Sequence, residues 1–191
     1  VTGGIGSGKS FVCRMLEARG ISIYYCDVEA QRIMASRTDV QAELKELVGP
    51  DVYLPASTPS PFGSGLCINK PRLSAFMHQG PEAAAQVNAI VHPRVAADFM
   101  ASSKEWMECA ILFESGFDRY ADIVIAVVAP IETRISRIMQ RDGISREKAL
   151  EWIAKQMDQK EVEQRSDHVV INDGIHDLAS QIDRILTKIK E

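Results

Sequence analysis

The residues best suited to chemistry stand at the start of the chain, in Gly3-x-x-x-x-Gly8-Lys9-Ser10. That spacing is the phosphate-binding P-loop pattern. Small residues let the backbone wrap closely around a phosphate and aim several N–H groups inward. A helix beginning near Lys9 adds the positive end of its dipole. Lys9 can reach the outer phosphates of a nucleotide, and the Ser10 hydroxyl can ligate Mg²⁺. A glycine-rich turn that matches by accident is the plainer reading, but the pattern fixes four positions and helical periodicity follows it, with Val12, Met15 and Leu16 on one face.

Such a loop needs a strand before it and a sheet around it. The chain begins at Val1, so only Val1 and Thr2 stand before the loop, and upstream residues are expected to be missing. Residues 21–25 read as a strand and 29–35 as a helix. Residues 49–65 carry four prolines and three glycines, which predicts a surface loop. The stretch 81–101 is helical in pattern, with His92-Pro93 expected to kink or divide it. Residues 109–113 and 123–129 are short apolar runs of the kind buried on both faces of a sheet. Residues 132–168 are dense in charge of both signs, a pair of exposed helices joined near Gly143. A last strand at 168–171 precedes an amphipathic helix built on Ile175, Leu178, Ile182, Ile185 and Ile189. Strands alternating with helices give an α/β class with a mainly parallel sheet, whose ligands bind at the carboxyl ends of the strands.

Composition narrows the function. The 191 residues carry 22 Lys+Arg against 26 Asp+Glu, a formal net charge of −4. This argues against a general nucleic-acid binder. Four widely spaced cysteines give no CxxC pair and read as free thiols in a reducing cytoplasm. No apolar run is long enough to span a bilayer, so no membrane partner is expected. The guanine-reading Asn-Lys-x-Asp element of switch GTPases has only Asn69-Lys70-Pro71-Arg72 as its nearest match, with Arg in place of Asp.

Beyond the loop, several side chains have two readings each. Asp27, just after the second strand, can accept a proton from an attacking hydroxyl or hold a metal-bound water; it can equally cap the helix that begins at Val28. Arg134, Arg137 and Arg141 recur at helical steps and can clamp a phosphoryl group, or form a solvated face balanced by Glu132 and Asp142. His92 can touch a ligand or serve the turn beside Pro93. Glu114 closes an apolar run and faces either a site or a partner.

With these residues in place, nearly the whole chain resembles the dephospho-CoA kinases, P-loop kinases that complete coenzyme A synthesis. The resemblance runs from the loop through Asp27, Leu73 with Phe76, and Asn88-Ala89-Ile90-Val91-His92-Pro93. It continues through Ile111-Leu112-Phe113-Glu114, Arg137 to Arg141-Asp142-Gly143, Gln156, and Asp167 with Ile171-Asn172. It implies a three-layer P-loop kinase fold over residues 1–191 as one domain, with a helical substrate lobe near 60–105 and a lid near 138–165. It implies transfer of the γ-phosphate of ATP, with Mg²⁺, to the ribose 3′-hydroxyl of dephospho-CoA. ATP would then meet Gly4, Ile5, Gly6, Ser7, Gly8, Lys9, Ser10, Phe11, Arg137 and Asn172. Asp27 would be the general base, Arg141 a lid arginine, and His92 and Glu114 substrate contacts. Three positions depart from the family pattern: Tyr25 stands where a first Asp is common, Phe11 replaces a Thr, and Ala110 replaces a Pro. A nucleoside or nucleoside-monophosphate kinase, and a non-catalytic nucleotide-binding regulator, are the alternatives.

Overall fold

The computed structural model describes residues 1–55 and 65–189. Along the chain run α1 (Lys9–Glu17), β1 (Ile23–Tyr25), α2 (Cys26–Ser36), α3 (Thr38–Val48), β2 (Tyr53–Pro55), β3 (Leu66–Ile68), α4 (Lys70–Met77) and α5 (Pro81–Ala101). Then follow β4 (Trp106–Glu108), β5 (Ile125–Val128), α6 (Ile131–Asp142), α7 (Arg146–Ala154), α8 (Gln159–Gln164), β6 (His168–Ile171) and α9 (Leu178–Ile189). Residues 1–24 with 104–191 form one compact unit, and residues 25–103 form another.

The first unit is an α/β sheet. β5 and β6 pair in parallel, with Ile125 opposite His168 and Val128 opposite Ile171. Thr2 bridges Ala126 in parallel; its N–H donates to Ile125 O at 2.9 Å and its O accepts from Val127 N–H at 2.8 Å. On the other side, the Val1 amine donates to Met107 O at 2.6 Å, and Val1 O accepts from Cys109 N–H at 3.0 Å. β4 pairs in turn with β1. Residues 1 and 2 therefore run between β4 and β5, and the glycine-rich loop leaves the middle of this sheet. Every residue of β5 is buried, as a parallel strand covered on both faces requires.

Several expectations change here. The strand expected over 109–113 lies earlier, at Trp106–Glu108, and 110–116 are turns. Its apolar residues are buried all the same: Cys109, Leu112 and Phe113 are each under a tenth exposed. The charged stretch holds three helices, not two, and α6 is not simply exposed, since Arg134, Ile135 and Ile138 are buried. Gly143 ends α6 at φ 66°, a left-handed stop that glycine adopts at little steric cost. In α1 the buried face is Val12, Cys13 and Leu16, with Met15 only half-buried. Ile175 falls before α9 and is 86% exposed, so the closing helix begins three residues later than its periodicity suggests.

The second unit packs α2, α3, α4 and α5. Val87, Val91, Val95 and Phe99 recur every four residues and bury one stripe of α5; Ile33, Val40, Leu44 and Val48 are buried on α2 and α3. α5 runs unbroken through Pro93. Proline costs a helix one N–H donor, and near that gap the Arg94 guanidinium donates to Ile90 O at 2.9 Å. Arg94 also pairs with Glu43, and Arg32 holds Asp98 with two bonds of 2.7 Å. Part of the proline-rich stretch read as a loop is strand: β2 pairs with β3, just beyond it, with Tyr53 opposite Ile68 and Pro55 opposite Leu66 in antiparallel register. The remainder of that loop, 56–64, lies outside the described residues. No helix among the described residues is long and apolar enough to cross a membrane.

Candidate functional site

The loop from Gly3 to Gly8 is shaped by what packs against it. A Cβ on Gly3 would lie 2.3 Å from Val127 O, on Gly4 2.5 Å from Arg134 Nη2, on Gly6 2.7 Å from Arg134 O, and on Gly8 2.0 Å from Asn172 Nδ2. Side chains at these points would collide with the loop's own supports. Gly6 and Gly8 also adopt φ 80° and 88°, which L side chains disfavour. Gly8 is the N-cap of α1 and offers no side-chain cap. The opening turn of that helix therefore presents its dipole to an anion.

Around this cradle the charge is positive. Arg134 Nε donates to Ile5 O at 2.9 Å. Arg137 donates from Nη1 to Gly6 O at 3.3 Å and Ser7 O at 3.2 Å, and from Nη2 to Asn172 O and Oδ1. Asn172 is buried just after β6, and its Nδ2 donates to Ser7 O at 2.8 Å. Ile5 N–H donates to Gln156 Oε1 at 2.7 Å, and the Ile5 side chain packs on the Ile135, Ile138 and Ala149 cluster of α6 and α7. Ser7 Oγ is buried and, among the described residues, has no hydrogen-bond partner.

Lys9 pairs with Glu108, the last residue of β4, and both side chains are largely buried. Sequence reasoning missed Glu108. The signal was present, an acid within the apolar Trp106-Met107-Glu108-Cys109, but placing the strand three residues too late left it outside the sheet. A triphosphate seated on this loop would have to compete with this carboxylate for Lys9. Glu108→Gln is therefore expected to enlarge the rise in Tm produced by ATP without divalent cation. A rise equal to that of the wild type would show that Glu108 does not compete.

The other expected residues fall as follows. Ser10 is exposed in the first turn of α1. Phe11 is 49% exposed and lies under the Arg14 guanidinium. Arg141, exposed near the end of α6, pairs with Asp142 and is not among the arginines on the loop. Arg134 and Arg137 grip the loop's carbonyls from its outer side, so the three arginines do not act as one clamp. Glu114 sits in an exposed turn, not at a strand end, and accepts from Met157 N–H at 3.0 Å. In the second unit, Asp27 is exposed in the first turn of α2. The cap position there belongs to Tyr25, which removes the capping role for Asp27. His92 is half-buried on α5, and that burial lowers its pKa, favouring the neutral ring.

Comparison with known proteins finds likeness over almost the whole chain. The family model described as dephospho-CoA kinase matches residues 1–177. A dephospho-CoA kinase of Bacteroides fragilis strain YCH46 is 39% identical over 189 residues, 95% of this chain and 87% of that protein. A dephospho-CoA kinase of Salinibacter ruber is 36% identical over 183 residues, 91% of this chain and 87% of that protein. The crystal structure of TT1252 from Thermus thermophilus superposes with a TM-score of 0.78 at 28% identity, covering 98% of this chain and 95% of that one.

Proposed function

The chain belongs to the dephospho-CoA kinase family, and we propose that it transfers the γ-phosphate of ATP to the 3′-hydroxyl of the ribose of dephospho-CoA, giving coenzyme A and ADP. The observation that carries this reading is the glycine cradle at the N-terminus of α1, with Lys9 opening that helix and two arginines bound to the loop's carbonyls. Phosphoryl transfer asks little covalent chemistry of a protein; it asks for positioning and for neutralisation of charge.

In this reading the loop from Gly4 to Ser10 and Lys9 hold the ATP phosphates, and Arg137 and Asn172 keep the loop in shape from behind. Phe11 borders the nucleotide. Asp27 takes the proton of the 3′-hydroxyl as its oxygen attacks the γ-phosphorus, and the bond from that phosphorus to the bridging oxygen of ADP breaks. Arg141 moves onto the phosphates when the segment near 138–165 closes as a lid, excluding water. The segment near 60–105 receives the CoA-like substrate, with His92 and Glu114 as contacts. The exposed Ser10 hydroxyl suits a Mg²⁺ ion that arrives on the phosphates, where the ion would neutralise charge on their oxygens. We place the enzyme in the cytoplasm, where its four cysteine thiols would stay reduced.

The test is ADP release from ATP with dephospho-CoA, or with a panel of nucleosides and nucleoside monophosphates, as acceptor. Release that depends on dephospho-CoA supports the proposal. Release only with nucleosides or nucleotides, or ATP binding with no turnover, overturns it in favour of a nucleotide kinase or a regulator.

A further inference from the structure

We propose that Arg134 is a positioning residue for the nucleotide: a buried guanidinium that sets which way the peptides of the phosphate loop face. This rests on the reading that the loop binds ATP. Arg134 is 5% exposed. Its Nε donates to Ile5 O at 2.9 Å, and its Nη1 to Gln159 Oε1 at 3.5 Å. Its Nη2 lies 2.5 Å from where a Cβ of Gly4 would be, and its own backbone O and Cα lie 2.7 and 2.9 Å from where a Cβ of Gly6 would be. The first and third variable positions of the motif are thus small because of this arginine, not only because of a phosphate.

The described peptides of this chain are trans, so each C=O points away from the N–H of the residue after it. Drawing Ile5 O toward Arg134 turns Gly6 N–H to the opposite side. Arg137 does the same at Ser7 O, which turns Gly8 N–H. Ile5 is fixed twice over, since its N–H is already committed to Gln156. The two arginines behind the loop therefore choose the direction of the amides in front of it.

Charge adds to this. Among the described residues no carboxylate forms an ion pair with Arg134, and its desolvation lowers its pKa against only the distant pull of Asp158. A buried cation is costly unless something of opposite sign comes near. A polyanion across the loop provides that. Lysine cannot replace it, because a single ammonium cannot occupy the positions of Nε, Nη1 and Nη2 together.

The experiment is calorimetric titration of the purified full chain with ATP, with steady-state kinetics beside it. Arg134→Lys is expected to weaken ATP binding roughly 10- to 100-fold, the worth of one charge-assisted bond. The loss should fall on KM for ATP more than on kcat or on KM for the acceptor, a split that general destabilisation would not produce. Gly4→Ala keeps the charge but displaces Nη2, so it should weaken ATP binding in the wild-type background and add little to Arg134→Met. Should the Arg134 variants fail to fold, Gly4→Ala decides alone: ATP binding equal to wild type overturns the proposal. So do an Arg134→Lys enzyme with wild-type affinity, and effects of Gly4→Ala and Arg134→Met that simply add. A wild-type chain that binds no ATP overturns the functional reading and this proposal with it. A wild-type chain that binds ATP but does not phosphorylate dephospho-CoA leaves the Arg134 measurement fully readable.

Discussion

Asp27→Asn is expected to lower kcat by roughly 100- to 10,000-fold, the range typical of a lost general base, and to leave KM for ATP nearly unchanged. The two carboxyl-derived side chains have the same shape, and only the proton-accepting charge is lost. Structure loses little, because the side chain is exposed and the cap of α2 is Tyr25, not Asp27. Position 25, two residues earlier, is Tyr25, so no carboxylate there can take over the proton. The pairing of measurements matters: kcat near wild type in the Asn variant removes Asp27 from the chemistry, and a matching rise in KM for ATP makes it a binding residue instead.

The second large effect is expected at Gly8. A methyl group there would stand 2.0 Å from Asn172 Nδ2 and 3.4 Å from Arg137 Nη1. Asn172 is the group that holds Ser7 O at 2.8 Å, so Gly8→Ala must push aside the loop's own clasp. The backbone at φ 88° adds strain. A misplacement of about 1 Å at a site of this kind can cost about 100-fold, and that loss is expected in kcat/KM for ATP. Gly20→Ala is the control. Gly20 has φ 85° but nothing within 4 Å of its missing Cβ, so it should lower Tm through backbone strain alone, on the order of 1 kcal/mol, and leave ATP kinetics unaltered. Equal effects of the two substitutions on kcat/KM would place the cost in the backbone and not in the clasp.

The loop was legible in the sequence because close backbone approach admits so few residue types that the glycines mark it. β5 was legible for a related reason, since a strand inside a parallel sheet must be apolar on both faces. What escaped was set by partners far along the chain. Nothing local distinguishes Arg134 from Arg141, seven residues apart on one helix. One is buried against Ile5 and the other pairs with Asp142 at the exposed end. Glu108 escaped because its meaning depends on Lys9, ninety-nine positions earlier by number. The hairpin of β2 and β3 was hidden because prolines announce a turn but not the pairing on either side of it. Pro93 misled in the opposite direction: the buried stripe from Val87 to Phe99 continues across it, and packing outweighs one missing donor.

The clasp on the loop also sets an order of events in the birth of the protein. The phosphate loop leaves the ribosome long before the residues that hold it: Ser7 O waits for Asn172, 165 positions later, and for Arg137, 130 positions later. Ile5 N–H waits for Gln156, 151 positions later. Closing such long chain segments is entropically slow. A nascent chain ending before Arg134 would carry the complete motif and none of these supports, and one ending before Asn172 would still lack the last of them. Nucleotide binding should thus appear only after Asn172 has emerged, well after its sequence signature has been translated.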